Sequence, residues 1–248
     1  MDLEGRVVLV TGASRGVGAA TAVAAASLGA RVACAARATD EAPVALPGTI
    51  DETVRAIEEA GGEGVAVPTD LAVDEEVEAM VETTVAHFGR LDALVNNAAI
   101  TFPGDLDLSQ KRFDLVVDVD LRAPVIATRT ALDHLRADGG GAVLNVSSAA
   151  ALHYYPGLMA YGMAKVALEH FTRSAAAQLA DDGVAVNCLR IDEPVASEGF
   201  VANAPELDHS EWAASSVAAD CAIWMLGRPA SYTGNVVGMA DLRAGEGL

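Results

Sequence analysis

Basic residues are scarce in this chain. Lysine and arginine together number 16, against 35 aspartates and glutamates, for a formal net charge of −19. A surface that negative repels nucleic acid and anionic membranes, so neither is an expected partner. It also sets a condition on any anionic small molecule, which must meet local positive charge wherever it binds. Cysteine is rare too. Cys34, Cys188 and Cys221 are odd in number and widely spaced, with no Cys-x-x-Cys pair. That pattern fits reduced, partly buried thiols and excludes both a disulfide framework and a zinc knuckle. The five histidines are scattered, with no His-Glu-x-x-His run, and no catalytic metal is expected. No apolar run reaches the roughly 18 residues of a membrane span. The opening Met1-Asp2-Leu3-Glu4 lacks the basic-then-apolar layout of a secretory leader, so the expected location is the cytoplasm.

Apolar residues, by contrast, make up 52% of the chain. This excludes disorder and supplies a large core. Strand-like and helix-like segments alternate from the start. Val7-Val8-Leu9-Val10 runs into a glycine-rich turn, an Ala-rich helix covers 16–28, and a second strand covers 31–36. Further strands are expected at 65–67, 93–95, 142–146, 184–187 and 235–237. Helices are expected at 51–60, 74–88, 109–136, 158–180 and 210–226. Such alternation predicts an α/β fold: one Rossmann-type domain over 1–248, doubly wound, with helices on both faces of a parallel sheet. Thr39 to Ile50 contains two prolines and a glycine and reads as an inserted loop. The Pro-, Asp- and Ala-rich stretch 192–209 reads as a mobile lid over a site.

The first turn carries chemistry. Gly12, Ser14, Arg15, Gly16, Val17 and Gly18 lie between the first strand and the first helix. Glycines permit a tight turn and close backbone approach, and the helix N-terminus offers free N–H groups to a pyrophosphate. The end of the second strand selects the nicotinamide cofactor. An acid there binds the ribose 2′-hydroxyl of NAD, whereas arginine accommodates the 2′-phosphate of NADP. Here the strand ends Ala35-Ala36-Arg37, and Arg15 lies within reach of the same phosphate. NADP(H) is therefore the expected cofactor, with NAD(H) possible. A second constellation comprises Ser148, Tyr161 and Lys165. Tyr161 and Lys165, four residues apart, share one helix face. The chain has only two lysines and four tyrosines, so the pair is an unusual coincidence for a bland surface helix.

These pieces resemble the short-chain dehydrogenase/reductase family, over essentially the whole length. They are the glycine turn, Asp70-Leu71, Asn96-Asn97-Ala98-Ala99, Ser148, Tyr161-Gly162-Met163-Ala164-Lys165 and Thr233-Gly234, in that order. The resemblance implies a seven-stranded parallel sheet of order 3-2-1-4-5-6-7 and a homodimer or homotetramer. It implies a hydride transfer between NADP(H) and a carbonyl or secondary alcohol. Tyr161 would be the general acid/base, Lys165 would favour the phenolate and bind the nicotinamide ribose, and Ser148 would hold the substrate oxygen. By the same carry-over Asp70, Leu71, Asn97 and Ala98 join the cofactor site, and Asn96 lines the cleft.

The chain departs from the family in three places. Asp120 stands where asparagine closes a proton relay to the lysine, and is counted with the catalytic residues. The Pro-Gly that follows strand six is absent. Pro194-Val195 still resembles the carboxamide wall, with Ser197 replacing a threonine one residue late. Ala99 occupies a position where glycine is common. The first two departures motivate the alternative reading, a non-catalytic NADP(H)-binding sensor or scaffold. Ile100, Thr101, His153, Tyr154, Tyr155 and Phe200 are candidate pocket residues for a substrate whose identity the sequence does not reveal.

Overall fold

In the computed structural model, which describes residues 3–203 and 205–247, seven parallel strands form one sheet of order β3-β2-β1-β4-β5-β6-β7. They are β1 Val7–Thr11, β2 Arg31–Ala36, β3 Glu63–Pro68, β4 Ala93–Asn96, β5 Ala142–Ser148, β6 Ala185–Ile191 and β7 Val236–Gly238. The expected topology is thus the observed one. Residue alternation along β1 explains the two cores. Val8 and Val10 join Ala22, Ala25, Ile50, Ile57, Ala218 and Cys221 on one face. Val7 and Leu9 join Val77, Val81, Ala127, Leu135 and Ala176 on the other. The helices α1 Gly16–Ser27, α2 Ile50–Glu59 and α8 Ser215–Leu226 therefore cover the first face, and α3 Asp74–Phe88, α5 Ala123–Arg136 and α6 Met159–Leu179 the second. Among the described residues no helix is long and apolar enough to cross a membrane.

Three segments differ from expectation. The single helix expected at 109–136 is α4 Gln110–Val117 and α5, joined by a π-helical turn over Asp118–Arg122. Pro124 explains the break: it has no N–H for the Asp120 carbonyl, and its ring crowds that turn. The 192–209 stretch is not an open loop. It holds the short helix α7 Glu198–Asn203, and Val195 bridges Ala213, although Ala204 lies outside the described residues. Finally, α9 Met239–Glu246 follows β7 where no helix was expected; its eight residues are too few for a periodicity to show.

The amino end of the central strands, opposite the glycine turn, is tied by one carboxylate. Asp92 accepts from Arg90 Nε at 2.7 Å, Arg90 Nη2 at 2.5 Å, Arg6 Nη1 at 2.8 Å and the Val7 amide at 2.9 Å. Burial alone would raise its pKa. The donors outweigh burial, so Asp92 sits below the ordinary carboxylate value. A depressed folded-state pKa gives stability that is present above the unfolded value and lost as pH falls through the folded one. Asp92→Ala should therefore cost about 2–3 kcal/mol at neutral pH. Urea unfolding should find most of that difference gone in strong acid; a difference equally large there would contradict the assignment.

Candidate active site

The chemistry-bearing residues all lie at the carboxyl ends of the strands, around the β1/β4 position where the strand order reverses. In open α/β sheets that is the crevice where ligands bind. On one side is the glycine turn. Gly12 has φ +66°, and a Cβ there would lie 2.8 Å from Ala98 Cα. A Cβ on Gly18 would overlap Gly12 O and the Asn97 amide. Asn97 Nδ2 donates to Thr11 O at 2.9 Å, and the Asn97 and Ala98 amides both donate to Thr11 Oγ1 at 3.1 Å. Turn and strand end are thus clamped together, which explains the glycines at 12 and 18 as packing requirements.

The helix beyond this turn has no side-chain N-cap and no acid in its first turn. The amides of Gly16, Val17 and Gly18 precede the first intrahelical bond, leaving an anion-binding terminus. Ser14 is buried just ahead of them. This cradle suits a pyrophosphate by its donor chemistry. The nearby positive charge is also in place, with one change from expectation. Arg15 Nε donates to Pro47 O at 2.7 Å, and Nη2 to Leu46 O at 3.1 Å and Gly48 O at 2.9 Å. Arg15 therefore fastens the inserted loop to the turn. Burial lowers its pKa, Glu198 raises it and the neighbouring Arg37 lowers it. Arg37 is exposed at the end of β2. Beyond β3, Asp70 Oδ1 accepts from the Ala72 amide at 3.0 Å, and Leu71 lines a narrow crevice with Thr11, Asn96, Ala98 and Val119. Asn96 lines that crevice and also braces β4 on β5, its Nδ2 donating to Asn145 Oδ1 at 2.9 Å.

On the other side, α6 presents Tyr161 and Lys165 beside the end of β5. Lys165 is only 2% exposed, although it carries an ammonium. Its Nζ donates to Val146 O at 3.1 Å, lies 3.7 Å from Asp120 Oδ2, and stands 5.4 Å from the centroid of the Tyr161 ring. Asp120 is fully buried on the π turn, and its Oδ1 accepts from the Ile100 amide at 2.8 Å. Oδ2 has no hydrogen-bond donor within range. Burial pushes the Asp120 carboxyl up to about 6, against the pull of Lys165 and the Ile100 amide. Ser148 ends β5, and its Oγ accepts from the Ala150 amide at 3.2 Å.

The pocket candidates divide. Ile100 packs with Phe102, Phe113 and Tyr161 in a small apolar cluster. Tyr154 is exposed, and its hydroxyl donates to Asp105 at 2.9 Å, tying the loop before α6 to the loop after β4. His153, Tyr154 and Tyr155 line a hollow of about 240 Å³ with Met159, Gly162 and Met163, which opens away from the Tyr161–Lys165 face of α6. Phe200 stacks on Trp212 at 4.8 Å. Pro194 and Val195 are held by the Ala213 strand bridge, whereas Ser197 packs on Gly16 and its Oγ accepts from the Phe200 amide at 3.3 Å. Ser197 thus faces the phosphate turn. Sequence reasoning missed the buried group formed by Ser147, Glu169 and Arg190. Its one signal was the spacing of Glu169, four residues after Lys165 on the same helix face.

The chain is similar to known proteins. The profile of the short chain dehydrogenase family matches residues 6–192. An uncharacterised oxidoreductase of Thermotoga maritima is 37% identical over 203 residues, 82% of this chain and 76% of its own. Human hydroxysteroid dehydrogenase-like protein 2 is 31% identical over 250 residues, 99% of this chain but only 59% of that longer protein. Among solved structures, a short chain dehydrogenase from Burkholderia cenocepacia J2315 in complex with NADP superposes with a TM-score of 0.84. It is 29% identical, with 96% of this chain and 97% of that one covered. The chain is an oxidoreductase of the short-chain dehydrogenase/reductase family.

Proposed function

We propose that this oxidoreductase interconverts a carbonyl and a secondary alcohol with NADP(H), and that Tyr161 is its general acid/base. The observation that carries the reading is the buried Lys165 ammonium, set beside Tyr161 at the end of β5 and next to Ser148. The amides of Gly12, Ser14, Gly16, Val17 and Gly18 would hold the pyrophosphate. Arg37, supported by the charge of Arg15, would hold the 2′-phosphate. Asp70 and Leu71 would receive the adenine, Asn97 and Ala98 would wall the cleft, and Tyr161 and Lys165 would reach the nicotinamide ribose. Pro194 and Val195 would close over the nicotinamide end and Ser197 over the pyrophosphate turn, making 192–209 the lid. When bound, the cofactor supplies or accepts the hydride. The protein supplies the rest. Ser148 Oγ holds the substrate oxygen as charge develops on it, Tyr161 OH gives that oxygen a proton, and Lys165 stabilises the phenolate left behind. Asp120 balances the Lys165 charge. We assign the protein to the cytoplasm, with a small-molecule substrate.

Cofactor choice is the first test. The relative solved with NADP supports the preference, as does a β2 end carrying Arg37 and no acid. Ala36→Asp with Arg37→Ser should turn the preference to NADH. Titration should find NADPH the tighter ligand of the parent; tighter NADH would sink the assignment.

Catalysis is the second. Tyr161→Phe keeps the ring and removes the proton, so turnover on a carbonyl panel should fall by about 10²–10⁴-fold, with NADPH affinity nearly unchanged. Near-normal turnover would rule Tyr161 out. Asp120→Asn should stay active but lose a pH transition near the Asp120 value of about 6. Its linkage has the opposite sign to that of Asp92. A carboxyl raised by folding gives stability at low pH that is lost as pH rises through the folded value. Unfolding of Asp120→Asn should show no such loss.

Assembly is the third. Met163 and Val166 are exposed on α6, beside the partly buried Ala167. We propose that this stripe pairs with its equivalent in a homodimer or homotetramer. Light scattering should give a multiple of the 25.4 kDa chain mass, and Met163→Glu should shift it toward one chain. A monomeric parent at micromolar concentration would overturn this.

A further inference from the structure

The buried group that the mechanism leaves unused lies one turn beyond Lys165. Glu169 is 5% exposed. Its Oε1 accepts from Ser147 Oγ at 2.9 Å and from Arg190 Nε at 2.8 Å, and its Oε2 accepts from Arg190 Nη2 at 2.7 Å. Arg173, on the next turn of α6, adds a more distant cation at 3.9 Å. Three elements therefore meet at one carboxylate: β5 through Ser147, β6 through Arg190 and α6 through Glu169. Below it stands a second polar tie, from Asn145 Nδ2 to Thr172 Oγ1 at 2.9 Å. Above it, Lys165 donates to Val146 O. Successive turns of α6 are thus matched to β5, with Thr172 on Asn145, Glu169 on Ser147 and Lys165 on the Val146 carbonyl.

Stabilisation is a poor account of this arrangement. Burying an ion pair costs about as much as the pair returns, and apolar residues of equal volume often serve as well or better. Direction is what the arrangement adds. Farther along the helix, α6 meets the sheet through small and branched apolar residues, with Ala175, Ala176 and Leu179 in one cluster with Val143, Val184 and Val186. Such contacts are non-directional and tolerate small axial shifts. A bidentate carboxylate–guanidinium pair with a third donor does not, because its bonds are fixed in angle and length. We infer that Glu169 is a positioning residue. Held by Ser147 and Arg190, it fixes the axial register of α6 on β5 and β6, and so the placement of Tyr161 and Lys165 relative to Ser148. This inference rests on the catalytic reading above. Glu169 itself touches no reacting atom in that scheme.

The test separates register from stability. Glu169→Leu with Arg190→Met replaces the pair by apolar volume. Its unfolding midpoint should match or exceed that of the parent, and NADPH binding by fluorescence should weaken far less than turnover falls, because the glycine turn holds most of the cofactor. Its kcat should fall by about tenfold to a hundredfold, since small misplacements at a reacting centre carry costs of that order. Glu169→Gln, which keeps an acceptor for Ser147, should recover part of the loss. A stable double variant with kcat within about twofold of the parent would overturn the proposal. If that variant does not fold, Ser147→Ala removes only one tie and should still lower kcat without lowering NADPH affinity; unchanged kcat would likewise overturn it. Hydrogen exchange supplies a readout free of turnover: the amides of 159–165 should exchange faster in the variants. If the parent reduces no carbonyl, the catalytic reading fails on its own, and unchanged exchange at 159–165 still decides against the register.

Discussion

Everything at this site depends on keeping one ammonium in a place that water does not reach. Among the described residues Lys165 is the largest of the fully buried side chains, and a lone charge there would be untenable. The surrounding structure supplies what the charge needs. β5 gives the Val146 carbonyl, and the π turn gives Asp120. That turn exists because Pro124 cannot continue the α-helical bonding pattern. A backbone irregularity from a missing N–H thus sets the counter-ion of the lysine. Ile100, at the end of the β4 loop, fixes the other oxygen of Asp120. Four elements converge on one charge, and the Tyr161 ring lies against it.

The phosphate side follows a different constraint, closeness of backbones. The turn after β1 packs so tightly on Asn97 and Ala98 that side chains at 12 and 18 have no room. Binding capacity and packing therefore coincide, because the same absence of Cβ atoms that lets strand and turn meet leaves the helix amides bare. The inserted loop strengthens this side. Arg15 grips three of its carbonyls, and Thr53 Oγ1 donates to Ala13 O at 2.7 Å. In so acidic a chain, Arg15 and Arg37 provide the local cations that an anionic ligand requires.

The helical layers and the Tyr161–Lys165 face could be read from the sequence because they rest on periodicity and short spacing, whereas the strand order followed from the family resemblance. The places that could not be read rest on contacts between distant residues. Arg15 was read as a cation within reach of the phosphate, and its added role in fastening the inserted loop rests on carbonyls more than thirty positions away. Asn96 was read as a cleft residue, and its further tie to the Asn145 side chain, 49 positions away, had no signal in the sequence. Glu169 offered no signal beyond its spacing of four from Lys165. Only Ser147 and Arg190, each more than twenty positions distant, make it a core residue. The break at Asp118–Arg122 was in principle legible from Pro124, but a helix of average pattern on both sides concealed it.

The aspartate at 120 then acquires a physical meaning. Two unit charges about 4 Å apart attract by about 4 kcal/mol at an effective dielectric near 20. Desolvating a carboxylate costs a comparable amount, and here desolvation prevails, since the carboxyl is raised to about 6. Near neutral pH the group is still mostly ionised, so Lys165 and Asp120 together approach zero net charge. An asparagine at the same place would accept the Ile100 amide equally well and leave the ammonium uncompensated. The field that Lys165 exerts on Tyr161 is therefore weaker here than with the amide. Protonating Asp120 removes that compensation, so the net charge beside the Tyr161 ring depends on pH.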